Sequence, residues 1–126
     1  MAYGTTNVDT IQSSTANTPV VFKDGNGTQI GTLCRAWVSF TPSSGTKLAS
    51  FNVSSVTRNN TGFYTIALTN AMPDANYVVS GSSGNNSNVY VALNAISTSS
   101  FQIYTRVGTS NTATDDSTIT GVAIFR

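Results

Sequence analysis

Apolar side chains in this chain recur at every second position, and clusters of Gly, Asn and Ser interrupt them at short intervals. A period of two places successive side chains on opposite faces of an extended strand. No window shows the i, i+3, i+4, i+7 recurrence of a helix buried along one stripe. The pattern therefore predicts an all-β protein: an antiparallel β-sandwich, jelly-roll-like, made of short strands and tight turns. At 126 residues the chain suits one such domain.

The strands are expected as follows. Val20-Val21-Phe22 and the run from Gln29 to Leu33 flank Asp24-Gly25-Asn26-Gly27, whose residue types favour a hairpin turn. From Cys34 to Phe40, Ala36, Val38 and Phe40 share one face and Trp37 lies on the other. Phe51-Asn52-Val53 and Tyr64 to Leu68 are joined through Arg58-Asn59-Asn60-Thr61-Gly62. Met72-Pro73-Asp74 reads as a turn, because Pro disfavours helix at the residue before it. Tyr77-Val78-Val79 opens a strand that the polar tract from Gly81 to Asn88 should end. Val89, Val91 and Leu93 alternate with Tyr90 and Asn94, and Phe101, Ile103 and Val107 alternate with Gln102, Tyr104 and Arg106. A polar loop over Gly108 to Ser117 precedes the last strand, Ile119 to Phe125.

That last strand is apolar on both faces, with Ile119, Ala123 and Phe125 on one and Val122 and Ile124 on the other. A two-layer sandwich buries one face of each sheet, so the second face needs another cover. Trp37, Val122 and Ile124 are accordingly the candidate subunit interface. Residues 1–18 stand apart as an extended N-terminal arm, leaving 19–126 as the sandwich domain. The arm has only Val8 and Ile11 as aliphatic anchors, too little area to offset the entropy of ordering it. Val8 and Ile11 are therefore the candidate assembly contacts, docking on another chain or adding a strand to its sheet edge.

Composition narrows the chemistry. There is no His and no Glu, so the side chain that titrates near neutrality is missing, along with one of the two carboxylate types used in acid–base catalysis. A Ser–His–Asp triad is impossible. Lys23 and Lys47 sit in turn-like sequence, where solvated amines are expected rather than partners for a nucleophilic Ser. Asp115 and Asp116 are adjacent, and in extended chain they point to opposite faces, so they cannot flank one glycosidic bond. Asp24-Gly25-Asn26-Gly27-Thr28 resembles the start of a calcium loop, but position twelve is Arg35 where a bidentate Glu is needed. Cys34 is the sole Cys, which excludes an internal disulfide. No enzymatic activity, metal or cofactor is expected.

Roughly 40% of the residues are Ser, Thr or Asn, far above ordinary usage. The surface is thus polar through hydroxyls and amides, and charged residues are only 9% with a net charge of +1. Two Lys and four Arg cannot make the basic patch that nucleic acid or an anionic membrane would require. The four sequons, at Asn26, Asn52, Asn59 and Asn85, are no more than chance supplies in such a composition. Aromatic residues beside amide-rich loops are a common way of holding saccharides and protein surfaces. Asn85, Asn86, Asn88, Tyr90, Tyr104 and Arg106 are therefore the candidate ligand surface, with cross-strand packing as the simpler role for the two rings.

The string CRAWVSF, followed by ASFNVSSVTRNNTGFYTIALTNAMPDANYVV, resembles the repeated pattern of a family of bacteriophage virion proteins, which comprises tail-fibre domains and small virion structural proteins. TPVVFKDGNGTQIGTL and the closing GVAIF are similar to that family too, so the resemblance spans nearly everything after the arm. Asn59-Asn60-Thr61-Gly62 departs mildly from the family's Asn-Gly-Thr-Gly turn. The resemblance implies a non-enzymatic β-sandwich on the virion exterior, often a homotrimer, and carries over no catalytic residue. Two positions on the particle fit. A capsid-decoration (cement) protein, held by its arm to the major capsid protein or another virion protein, is the expectation. A tail-fibre tip reading a host surface glycan or protein is the alternative. Residues 1–7 have neither a charged n-region nor an apolar h-region, so synthesis in the host cytoplasm without a signal peptide is expected.

Overall fold

A computed structural model describes residues 7–15, 20–84, 89–107, 116 and 118–126. Among them there is no helix, and every sheet is antiparallel. The chain divides into two compact units, Met1–Leu33 and Cys34–Arg126. The break falls after the first hairpin, at Leu33.

In the first unit, β1 (Phe22–Lys23) pairs with β2 (Gln29–Gly31). The turn between them is organised by Asp24, whose Oδ1 accepts the N–H groups of Asn26 and Thr28, each at 2.9 Å. This is an Asx-type turn. Residues 7–15 form no strand, and Val8 and Ile11 are exposed there.

The second unit contains eight strands among the described residues: β3 (Cys34–Thr41), β4 (Thr46–Phe51), β5 (Val53–Asn60), β6 (Phe63–Leu68), β7 (Val78–Ser83), β8 (Val89–Ile96), β9 (Ser100–Val107) and β10 (Thr120–Phe125). They form two four-stranded sheets, ordered β4-β3-β10-β7 and β5-β6-β9-β8. The pairs β3–β4, β5–β6 and β8–β9 are hairpins that each stay within one sheet. The steps β4 to β5, β6 to β7, β7 to β8 and β9 to β10 each pass from one sheet to the other.

Both sheets contribute to one buried cluster. Ala36, Val38 and Phe40 of β3 and Val122 and Ile124 of β10 come from the first sheet. Val53 of β5, Tyr64, Ile66 and Leu68 of β6, and Phe101 and Ile103 of β9 come from the second. Strict alternation on β3, β6 and β9 puts these residues on one face of each strand. Phe40 meets Tyr64 edge to face, with ring centroids 5.0 Å apart, so the two sheets touch at the aromatic centre of the cluster. Full burial of each such side chain contributes on the order of 1.5–3 kcal/mol. Met72 and Tyr77, from the connection between β6 and β7, complete it. The Tyr77 hydroxyl donates to the Ser97 carbonyl at 2.8 Å.

Asn52 holds the crossing from β4 to β5. Its backbone is left-handed, at φ 54. Its side-chain amide donates to the carbonyls of Arg35 (3.1 Å) and Asn70 (3.2 Å), and its oxygen accepts the Asn70 N–H at 2.7 Å. One side chain thereby ties the start of β3 to the turn after β6.

The structure corrects the expected interface. Val122 and Ile124 are only 4% and 1% exposed, inside the chain's own core. β10 lies between β3 and β7, and its register sets Val122 beside Val38 and Ile124 beside Ala36. Directly paired residues share a face, so the buried face of β3 turns Val122 and Ile124 inward. The outward face of β10 is the other one, carrying Ala123 and Phe125. Trp37 keeps its expected place outside.

Candidate functional site

Two outer faces carry the residues of interest. On β4-β3-β10-β7 the register defines rows that run across the sheet. Phe51, Trp37, Ala123 and Ser80 form one row, and Ala49, Ser39, Gly121 and Ser82 form the next. Phe125 beside Val78 begins a third. Trp37 is 40% exposed, Phe51 54%, Val78 66% and Phe125 37%. A sheet built to face water would carry polar side chains at such positions; here Trp37, Phe51, Val78 and Phe125 are apolar.

The small residues of β10 and β7 leave a shallow hollow of ≈ 360 Å³ beside Trp37, floored by Ser80, Ser82, Gly121 and Ala123. A second, of ≈ 320 Å³, shares Ser39, Ser82 and Gly121 with it and extends to Ile119. Gly81, between Ser80 and Ser82, faces the core. A Cβ there would come within 2.8 Å of Val122 Cγ1 and 2.9 Å of Val91 Cγ1. The absence of a side chain is therefore required on the inner side, while the hydroxyls either side of it line the outer hollow.

The outer face of β5-β6-β9-β8 is different in kind. Phe63 and Tyr104 are directly paired and stacked, with centroids 4.6 Å apart and planes 21° from parallel. The Arg106 guanidinium lies over the Tyr104 ring at 4.8 Å, and Arg106 is paired with Tyr90 on β8. Beside this stack runs a line of side-chain hydrogen bonds. Asn94 donates to Gln102 (3.0 Å), and Gln102 (3.3 Å) and Asn59 (2.7 Å) both donate to Thr65 Oγ1.

Of the expected ligand residues, Tyr90, Tyr104 and Arg106 are thus brought together, while Asn85, Asn86 and Asn88 lie outside the described residues. The sequence reading missed Phe63, Thr65 and Gln102, which are neighbours only through the β6–β9 register. A ring that holds a sugar needs an open face. Tyr104 has Phe63 stacked on it and a cation over it, so its faces serve cross-strand packing and cation–π contact first.

The third cluster centres on Asp116. Its carboxylate accepts from Arg58 Nε at 3.0 Å, from the Gly62 N–H at 2.9 Å and from the Tyr64 hydroxyl. Gly62, at φ 64, closes the β5–β6 hairpin, and its N–H donates to the carboxylate. Burial works to raise the Asp116 pKa, but the bonds from Arg58, Tyr64 and Gly62 together hold it below the usual carboxylate range. Burial, and then the hydrogen bond to Asp116, push the Tyr64 hydroxyl well above the usual tyrosine value. A carboxylate so engaged is a structural tie and a poor base. Among the described residues, no three His, Cys, Asp or Glu stand together in a way that would hold a metal. No helix there is long and apolar enough to cross a membrane.

No protein-family model matches the chain, and neither does any curated protein or solved structure.

Proposed function

We propose that this chain is a non-enzymatic structural protein of a bacteriophage particle, carried on the virion exterior as a capsid-decoration protein. In this reading the two sheets are the layers of a β-sandwich, and the segment with Val8 and Ile11 is an arm that attaches it to the major capsid protein or another virion protein. The single observation that supports it best is the outer face of β4-β3-β10-β7, where Trp37, Phe51, Val78 and Phe125 are exposed together. Contiguous apolar surface of this sort marks association with protein. The string resemblance over Cys34 to Val79 supports a virion setting, and the locked state of Asp116 agrees with a non-catalytic role.

Purified protein added to particles that lack it tests this. Decoration requires binding in multiples of the capsid symmetry, and deleting residues 1–18 should abolish that binding while leaving the strands of 34–126 folded. Failure to bind the shell defeats the reading. A tail-fibre tip is the second reading, favoured by Tyr90, which is 41% exposed on the edge strand β8 beside Arg106. It requires binding at one tail vertex only, and blockage of adsorption when soluble protein is added to host cells.

A further inference from the structure

The outer face of β4-β3-β10-β7 is divided lengthwise. In its first two rows the β4/β3 half carries the protruding rings of Phe51 and Trp37, and the β10/β7 half carries Ala123, Ser80, Gly121 and Ser82 around the hollow; beyond them, in the third row, Phe125 and Val78 stand on the β10/β7 side. Bulk and hollow lie in the same rows, on opposite sides of the line between β3 and β10. Consider a two-fold axis that lies in the contact plane and runs along the strands over that line. It exchanges left and right while keeping each row in place, so it sets the rings of one copy over the hollow of the other, twice. A two-fold axis across the strands would instead oppose ring to ring and hollow to hollow.

We propose that this face docks a second copy of the chain, as a two-fold pair in which Trp37 of each copy seats over Ala123 and Ser80 of the other. This rests on the reading of the face as an association surface and names its partner. The face is self-complementary in charge as well as in shape. The two rows that hold the rings and the hollow contain no charged residue, so these parts of two copies meet without repulsion. Arg35 stands at the bulge where β3 begins, in the third row beside Phe125, and does not line the hollow. A surface that supplies both the projection and its receptacle is what an isologous contact needs. The near-parallel strand directions such an axis creates also match the usual packing of aligned sheets. The pair is therefore assigned two-fold symmetry in place of the trimer that the family resemblance implies.

Size sets the strength. Four strands of about six residues cover roughly 400 Å² in plan, well under the ~800 Å² that each partner of a stable pair buries. The pair should thus dissociate in the micromolar to millimolar range and form fully only where copies are concentrated, as on a shell.

The test is sedimentation of the full chain from about 10 μM to about 1 mM, together with the emission of Trp37, the sole tryptophan. A monomer–dimer equilibrium is expected, with emission moving to shorter wavelength as the dimer fills. Trp37→Ala removes the projection. Gly121→Val fills the hollow, and the space exists for it, since a Cβ at Gly121 meets only Ser82 Oγ at 3.8 Å. Each variant should weaken pairing at least tenfold with its unfolding transition retained. An equimolar mixture of the two should pair better than either alone, because one projection then meets one open hollow. A wild type that is monomeric throughout, a trimer, or variants that pair as the wild type does would each overturn the proposal. A monomeric protein that still decorates particles overturns only the pairing, and a pair that binds no particle overturns only the virion role.

Discussion

Tyr64 and Asp116 stand fifty-two positions apart, and the hydroxyl of the first donates to the carboxylate of the second. Tyr64 has no exposed surface, and its ring packs on Phe40 in the core. The same carboxylate reaches out to Arg58 and to the Gly62 N–H. A residue just ahead of β10 is thus fixed both to the middle of the core and to the β5–β6 hairpin.

Asp116→Ala should therefore cost far more than a surface aspartate would. It removes the acceptor of the buried Tyr64 hydroxyl, of the Gly62 N–H and of two Arg58 N–H groups at once, a loss of about 2–4 kcal/mol. Tyr64→Phe removes one hydroxyl and leaves the bonds from Arg58 and Gly62 to Asp116, so about 1 kcal/mol is expected. Urea unfolding of the two variants checks the order, and equal losses would show that the Arg58 and Gly62 bonds contribute nothing.

The same cluster sets the pH dependence. Asp116 is held below its unfolded value, so its contribution is present above the carboxylate range near pH 4 and is lost as pH falls through the lower folded value. Asp74, held at about 2 by Arg126 and then by the Asn76 N–H, acts in the same direction, although it is exposed and adds little. Tyr64 is raised, so its contribution is full below about pH 10 and is lost as pH rises through the folded value. With no His in the chain, stability should be level from about pH 5 to about pH 9. Urea midpoints across that range check it, and Asp116→Asn should flatten the acid side.

Strands whose burial alternates were readable from the sequence. Ala36, Val38 and Phe40, then Tyr64, Ile66 and Leu68, then Phe101 and Ile103, each fall on one face as their spacing indicated. β4 was not readable, because every residue from Thr46 to Phe51 is exposed at a sheet edge and no alternation survives. β7 runs on to Ser83, through residues that looked like a loop, because Gly81 must leave room for Val122 and Val91. The inward face of β10 is fixed by its register with β3, and register is a property of two strands that neither one displays alone. Trp37 was found because it breaks an apolar alternation. The Asp116 cluster was not, since nothing local marks a tie to Arg58 fifty-eight positions away.

Two glycines in neighbouring strands should respond in opposite ways. Gly81→Ala drives a methyl group into Val122 and Val91, each under 3.0 Å from it, and overpacking of this kind costs about 1–3 kcal/mol. Gly121→Ala points outward with nothing nearer than 3.8 Å. It should be neutral or add up to about 1 kcal/mol by restricting the unfolded chain. Thermal unfolding of both variants decides, and a destabilised Gly121→Ala would mean that the outer hollow is closed by the chain itself.

Asn52 separates backbone strain from side-chain bonding. Asn52→Gly keeps the left-handed φ of 54 at no steric cost but gives up the bonds to Arg35, Asn70 and the Asn70 N–H. Asn52→Ala gives up the same bonds and must also hold a Cβ in that conformation, which adds about 1–2 kcal/mol. Both variants should lose stability, with Ala the worse by that increment. Hydrogen exchange should speed up at Asn70, whose N–H loses its acceptor in both. If Gly and Ala prove equal, the left-handed backbone is relaxed once the side chain is gone. If Gly matches the wild type, the crossing from β4 to β5 is held by its strands alone.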